Sequence, residues 1–327
     1  MVHAIRLKAH GEPDVLAWEQ VEVGKPASGR QVRIRQTAVG VNFMEVSQRR
    51  GRSPIPLTLP GGLGGEAAGV IEELGEGVAD LSIGDRVAYA GGGAGAYAQA
   101  RIVPAQILVR LPDDLSDQQG AAMMLKGMTA QVLVRQISRA RAGDTVLFHA
   151  ASSGVGLIAC QWLKHLGVNV IGTVGSDAKA EVARAHGCDH VVVYTREDFV
   201  ARVAEITGGA KVPVVFDSVG KDTFARSLDC IEPCGLAILY GQASGPVGPF
   251  DLGLLANKGS LFVTRPTLTA YTRTRTKLLA TAHDLFDVVR SGAVKIEINQ
   301  TYALKDAAQA HRAIEARQTT GSTVLVV

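Results

Sequence analysis

The chain changes rhythm twice. From residue 1 to about 125, short segments alternate apolar and polar residues between glycines: "QVRIRQTAVGVN", "AAGVIEELGEGV", "GDRVAYA" and "AYAQARIV". A period of two is the pattern of a half-buried strand, so this stretch predicts a small antiparallel, barrel-like β domain with few helices. From about 126 to 262, continuous apolar runs alternate with helical periods. "DTVLFHA" (144–150) precedes "GLIACQWLKHLG", where Leu157, Cys160 or Gln161, and Leu166 recur near a helical spacing and Gly167 fits a C-cap. Strands follow at 169–174, 190–195, 212–219 and 235–241, separated by helical "AKAEVARAHG", "EDFVARVAEITGG" and "TFARSLDCIE". Strands that are apolar on both faces and alternate with helices predict a parallel sheet covered on both sides.

The last 60 or so residues return to a mixed pattern. Amphipathic helices are predicted at 278–292 and 306–317, with "VKIEI" and "STVLVV" as strands. The final strand is expected to complete the first domain's sheet, which makes the α/β unit an insertion: 1–125 and 264–327 form one domain, 126–263 the other. Two domains also suit 327 residues, because single cores stop growing near ~250–300. No internal repeat or low-complexity linker is visible.

Composition narrows the function classes. The chain is 46% hydrophobic and 20% charged, with 37 glycines, well above the roughly 7% that is average, which implies many tight turns. Net charge is +3 and the basic residues are dispersed, so no nucleic-acid partner is expected. Arg49, Arg50 and Arg52 form the densest basic spot, either a solvated loop or an attractor for an anion. The four cysteines (Cys160, Cys188, Cys230, Cys234) make no C-x-x-C and no disulfide framework, so a reducing cytoplasm is expected. No apolar run reaches signal or membrane-spanning length.

Candidate chemistry starts at "HAASSGVGLIACQW" (149–162). Ala151, Ser153 and Gly156 occupy the slots of G-x-G-x-x-G, with Gly154 in addition. The motif is weak by itself; following a strand and opening a helix is what gives it meaning. The helix start would offer free N–H groups and about half a positive charge to a pyrophosphate. The bland alternative is a tight strand-to-helix turn with no ligand. A dinucleotide site that takes NAD places a carboxylate at the tip of its second strand. Here the tip is Val174 and Gly175, followed by Ser176 and Lys179, with Tyr194 ending the next strand. Ser176, Lys179 and Tyr194 suit a 2′-phosphate, so NADPH is the expected cofactor. Charge-assisted bonds of ~1.5–3 kcal/mol convert to roughly tenfold to hundredfold preference. Asp177 is the contrary sign, either a helix N-cap or a ribose acceptor.

These stretches, with "GVNF", "LPGGLGGEAAGVI", "GAYAQ", "LKGMTA", "FDSVGKDTF", "NKGSLFVTRP" and "LKDAAQAHRAIEAR", run from end to end. The chain resembles the medium-chain dehydrogenase/reductase superfamily, and within it the NADPH-dependent quinone oxidoreductases related to zeta-crystallin. The resemblance implies a GroES-like β-rich catalytic domain with an inserted Rossmann domain, a doubly wound parallel sheet. Zinc-using members carry a Cys in the slot of Asn42 and a G-H-E segment where this chain reads Gly64, Gly65, Glu66. Zinc takes three or four N, S or O ligands, and residues 1–125 hold no Cys and only His3 and His10. No metal is therefore expected, and Glu66 reads as a structural partner, for instance of an Arg.

Without a Lewis acid the favoured acceptor is conjugated, a quinone or an activated enone, which needs mainly placement and a proton source. Asn42 is the candidate catalytic donor and a cofactor contact; alternatively it satisfies a turn. The resemblance implies further cofactor contacts at Lys126, Thr129, Ser153, Gly154, Val155, Gly175, Ser176, Lys179, Tyr194, Ser218, Gly241, Ser244, Phe262, Val263, Arg265 and Arg317. Arg317 reads equally as a helix-end cation. Where relatives often carry two tyrosines, this chain has Ser47 and Ser53, which predicts a wider, more polar substrate mouth. The resemblance further implies a homodimer joined through "SLFVTRP". The leading expectation is an NADPH-dependent quinone reductase. Alternatives are an NADPH-dependent reductase of α,β-unsaturated carbonyls and a non-catalytic, nucleotide-gated binding protein.

Overall fold

The computed structural model describes residues 1–27, 30–53 and 55–327. The chain forms two compact units. The first comprises Met1–Lys126, Thr272–Phe286 and Ile296–Val327; the second comprises Gly127–Tyr271 and Asp287–Lys295. The expected insert, 126–263, is thus extended here to 271, and a short stretch near 290 joins it.

The first unit carries a seven-stranded sheet in which Ser322–Val326 lies between Ile298–Ala303 and Gln31–Val41. Glu66–Leu74, Arg86–Ala90 and Val109–Arg110 continue beyond Gln31–Val41, and Ala100–Pro104 also pairs with that strand. The closing strand runs antiparallel to Gln31–Val41, with Val324 opposite Gly40. "STVLVV" does complete the first unit's sheet. Alternation places Val32 and Ile34 on one face, and a register shift between Gln36 and Ala38 brings Val39 and Val41 into the same core with Ile5, Leu7, Val87, Tyr89 and Leu325.

Two readings of the chain's outer segments need correction. "VKIEI" is not a strand; the strand is Ile298–Ala303. Val294 N–H instead bonds the Val288 carbonyl at the preceding helix end, and Lys295 N–H bonds Gln161 Oε1. The region to residue 125 also holds more helix than its pattern predicts, at Phe43–Arg49 and from Asp117 on to Gln131. The longer helix opens on a reciprocal cap, Gln119 N–H to Ser116 Oγ and Ser116 N–H to Gln119 Oε1.

The second unit is a six-stranded parallel sheet in the order His190–Val193, Asn169–Val174, Thr145–Phe148, Val212–Asp217, Ile231–Leu239, Phe262–Thr264. Counted within the unit this is 3-2-1-4-5-6, the doubly wound order whose ligands bind outside the carboxyl ends of the strands where the order reverses. Leu147, Ile171, Val192, Val212 and Val215 form its core with Phe199 and Val203, which is why these strands read as unbroken apolar runs. Among the described residues no helix is long and apolar enough to cross a membrane.

Candidate functional site

The strand Thr145–Phe148 ends into a turn held by a positive φ at Ala150 (55°) and a Ser153 N–H to Ala150 carbonyl bond of 2.9 Å. The helix Gly154–His165 begins there, with Ser153 as N-cap: its Oγ accepts from Gly156 N–H at 3.1 Å. A Cβ at Gly156 would stand 2.5 Å from the carbonyl oxygens of both Ala150 and Ala151. No side chain fits that position, which is what lets the turn fold back so tightly. Ala151 N–H bonds the Thr173 carbonyl at 3.1 Å, and a Cβ at Gly172 would meet the Ala151 methyl at 2.8 Å. The turn is therefore pinned to the neighbouring strand, and the first helical amides, those of Gly154 and Val155, begin a helix whose opening N–H groups have no intrahelical partner.

Below the turn, sequence reasoning missed a polar network. His149 is buried; its Nδ1 pairs with Thr173 Oγ1 (2.9 Å) and its Nε2 with Ser227 Oγ (3.0 Å). Ser227 Oγ donates to Asp217 Oδ2 at 3.1 Å. Burial holds the imidazole below its ordinary pKa, with Asp217 opposing. Asp217 also accepts from Val219 N–H (2.8 Å) and Gly220 N–H (3.0 Å). That bends the chain after Val212–Asp217 and sets Ser218 beside Gly241, where a Cβ would lie 2.5 Å from the Ser218 carbonyl. Ser244 Oγ joins them by donating to the Val219 carbonyl at 2.9 Å. Arg265 reaches the same strand end, bonding the Leu239 carbonyl and Gln242 Oε1, both at 3.1 Å. Phe262 and Val263 lie instead on the edge strand, 48% and 37% exposed, with the Arg139 guanidinium 5.0 Å from the Phe262 ring.

At the tip of Asn169–Val174, Gly175 leaves room for the Tyr194 hydroxyl, which would stand 2.8 Å from a Cβ there. Ser176 is the N-cap of the helix Asp177–Ala185, accepting from Lys179 N–H at 3.4 Å. Asp177 is therefore not the N-cap. It is the first helical residue, and its carboxylate takes a two-point contact from Arg196, Nη1 to Oδ2 at 2.7 Å and Nη2 to Oδ1 at 2.5 Å. The hydrogen bond to Arg196 holds the Asp177 carboxyl below its usual range and raises the guanidinium in turn.

In the first unit Asn42 ends the strand Gln31–Val41 and caps the helix Phe43–Arg49; its backbone N–H bonds Glu45 Oε2 at 2.7 Å. Asn42 Nδ2 donates to Glu66 Oε2 at 3.0 Å, and Lys126 Nζ donates to the same oxygen at 3.1 Å. Leu125 N–H bonds the other oxygen at 2.6 Å. The partner of Glu66 is thus a lysine rather than an arginine. Gly40 makes room for this cluster, since a Cβ there would lie 2.4 Å from Glu66 Oε2 and 2.3 Å from the Ala121 carbonyl. Glu45 is fully buried, and desolvation pushes its pKa up to about 7, with Lys126 pulling the other way. Thr129 follows on the same helix as Lys126, within the second unit.

Of the basic spot, Arg49 is fully buried against Glu315 (2.6 Å), and Arg50 pairs with Glu315 (2.6 Å) and Glu12 (3.1 Å). Neither reading of that spot, a solvated loop or an anion attractor, suits those two residues. Arg317 sits just past the helix Ala307–Glu315 at φ 57°, where its N–H bonds the Ile314 carbonyl and Gln318 N–H bonds the Ala313 carbonyl. Ser53 borders a cavity of about 50 Å³ lined by His10, Gln48, Gly51, Ile55, Pro56 and Leu57.

Residues 28–113 match the alcohol dehydrogenase GroES-like domain family, and residues 154–286 match the zinc-binding dehydrogenase family. The chain is 50% identical over 326 residues to a quinone oxidoreductase of Pseudomonas aeruginosa, covering 100% of both chains. It belongs to the quinone oxidoreductase family. A 2-haloacrylate reductase of a Burkholderia species is 46% identical, over 100% of this chain and 99% of that one. The crystal structure of Escherichia coli quinone oxidoreductase complexed with NADPH matches with a TM-score of 0.96 at 44% identity, over 99% of this chain and 100% of that one. The zinc in the second family's description does not fit the donors at hand. Asn42 and Gly65 offer no thiolate or imidazole, both Glu66 oxygens accept hydrogen bonds, and no group of three His, Cys, Asp or Glu among the described residues is placed to hold a metal ion.

Proposed function

We propose that this quinone oxidoreductase family member reduces quinones with NADPH and uses no metal. The observation that carries the reading is the pair of phosphate-ready features on one sheet end: the Gly156 turn with its helix start, and the tip formed by Gly175, Ser176, Lys179 and Tyr194. Likeness over the whole chain to a quinone oxidoreductase solved with NADPH supports it. Bound NADPH supplies a hydride.

The residues divide the remaining tasks. Ser153, Gly154 and Val155 hold the diphosphate through helix-start amides. Ser176, Lys179 and Tyr194 take the 2′-phosphate, while Ser218, Gly241, Ser244 and Arg265 shape the strand ends on the other side of Thr145–Phe148. Asn42 commits one Nδ2 hydrogen to Glu66 and keeps a second for an acceptor oxygen. Lys126 donates to the same carboxylate oxygen, which holds the amide and the ammonium side by side. Thr129 and Arg317 complete the assigned coenzyme contacts. Phe262 and Val263 we assign to a second copy of the chain, because their strand is one of the two edges of the parallel sheet and carries both side chains exposed. The four free thiols suit a reducing compartment, and we place the protein in the cytosol.

A second reading, reduction of an activated carbon–carbon double bond, draws on the 46% identity with a 2-haloacrylate reductase. Anaerobic mixing of chelator-treated protein with NADPH, followed at 340 nm with a benzoquinone or with 2-chloroacrylate, tests both. Rapid oxidation by the quinone supports the first reading and preference for the haloacrylate the second. Tight NADPH binding with neither turnover would leave only a nucleotide-binding protein.

A further inference from the structure

We infer that Arg196 sets coenzyme choice by masking Asp177, an inference that rests on the NADPH reading above and deepens it. Asp177 follows Ser176 directly and opens the helix that carries Lys179. A bare carboxylate at that point repels a phosphate dianion and accepts from ribose hydroxyls, which are the two interactions that favour NADH. The sequence therefore places an NADH-type acid inside an NADPH-type grip, and the structure resolves the conflict. Both carboxylate oxygens accept from one guanidinium, at 2.7 and 2.5 Å, so the planar fork offsets the acid's charge and takes one acceptor site on each oxygen.

Arg196 is itself positioned by the adjoining turn. Its N–H bonds the Val193 carbonyl at 3.1 Å, Tyr194 N–H bonds the Val174 carbonyl at 3.1 Å, and Thr195 Oγ1 donates to the Gly175 carbonyl at 3.3 Å. The strand that delivers Tyr194 thus delivers the masking cation to the same tip. Arg184 also faces Asp177, yet its guanidinium is paired with Glu181 at 2.5 Å. Arg196 is the specificity-determining residue because its removal turns an acid that is silent toward phosphate into one that is not.

Titration of wild type, R196A, D177N and the double variant with NADPH and NADH, by quenching of intrinsic fluorescence at low salt, tests the inference. R196A is expected to weaken NADPH by roughly three- to tenfold, the scale of one exposed charge near a phosphate, with NADH unchanged or tighter. D177N should bind NADPH at least as tightly as wild type. The double variant should recover NADPH binding to within about twofold of wild type, because coupled residues do not add. If it stays as weak as R196A, the arginine touches phosphate directly and masking is wrong. An unchanged NADPH-to-NADH ratio in R196A overturns this inference alone, whereas a wild type with no NADPH preference overturns the coenzyme reading as well.

Discussion

Replacing Glu66 by Gln tests whether the buried cluster of the first unit works as described. The carboxylate meets three donors, Asn42 Nδ2, Lys126 Nζ and Leu125 N–H, at 3.0, 3.1 and 2.6 Å, and its residue has no exposed surface. Lys126 is only 7% exposed, so a neutral amide strands an ammonium away from water. Breaking one side of a buried pair costs about 3–5 kcal/mol. The amide must also turn its NH2 toward one existing donor, either Leu125 N–H or the Asn42 and Lys126 side, which adds to the loss. At roughly 2–4 °C per kcal/mol for a unit of this size, E66Q should melt about 6–20 °C below wild type by calorimetry in the transition of the first unit. Adding K126M should return most of that, since a buried pair replaced by apolar groups is often neutral. A melt for E66Q within a degree or so of wild type would show that Glu66 is not the hub of the cluster.

Other outcomes follow from the same geometry. K179A should raise the NADPH dissociation constant by about tenfold or more and leave NADH nearly unchanged; equal losses for both remove the phosphate assignment. Glu45, raised from 4.5 to about 7, and His311, lowered from 6.5 to about 3 by burial and by Arg49, act in opposite senses. The folded state holds the Glu45 proton more tightly, so that stability is complete below pH 4.5 and is lost as pH rises through 7. His311 stays neutral when folded, so its contribution rises with pH between 3 and 6.5. In their shared window the two oppose each other, so E45Q should gain stability with rising pH more steeply than wild type, by up to about 1.4 kcal/mol per pH unit in urea melts; parallel wild-type and E45Q profiles would rule out Glu45 titration. The proposed seam at Phe262 predicts that wild type is a dimer in light scattering and F262D a monomer; a monomeric wild type would remove the seam, and a dimer that survives F262D would move it elsewhere.

How far the chain could be read depended on the range of the forces involved. The parallel sheet was legible because burial on both faces leaves a local mark: "NVIGTV" is a strand from Asn169 to Val174, bounded as read. The strand-to-helix turn at 149–156 was legible because strand, turn and helix are contiguous. The Asp117–Gln131 helix was hidden, since "GAAMMLKGMTAQ" buries nearly every side and shows no clear period, although Ser116 and Gln119 carried a readable cap. Of the two readings of Asp177 the cap fails, because Ser176 reaches the third amide first and the partner of Asp177 lies 19 residues on. Lys126 and Glu66, 60 residues apart, and the chain from His149 through Ser227 to Asp217 exist only once the strands are side by side.

The placement of Ser322–Val326 between Ile298–Ala303 and Gln31–Val41 has a consequence in time. A ribosome finishes all six parallel strands before it makes the residue after Thr264, so every strand of the second unit's sheet exists while the first still waits for the strand that joins Ile298–Ala303 to Gln31–Val41. A nascent chain paused short of Ser322 exposes the unpaired flank of Gln31–Val41, and that stage of synthesis is where a chaperone is most needed.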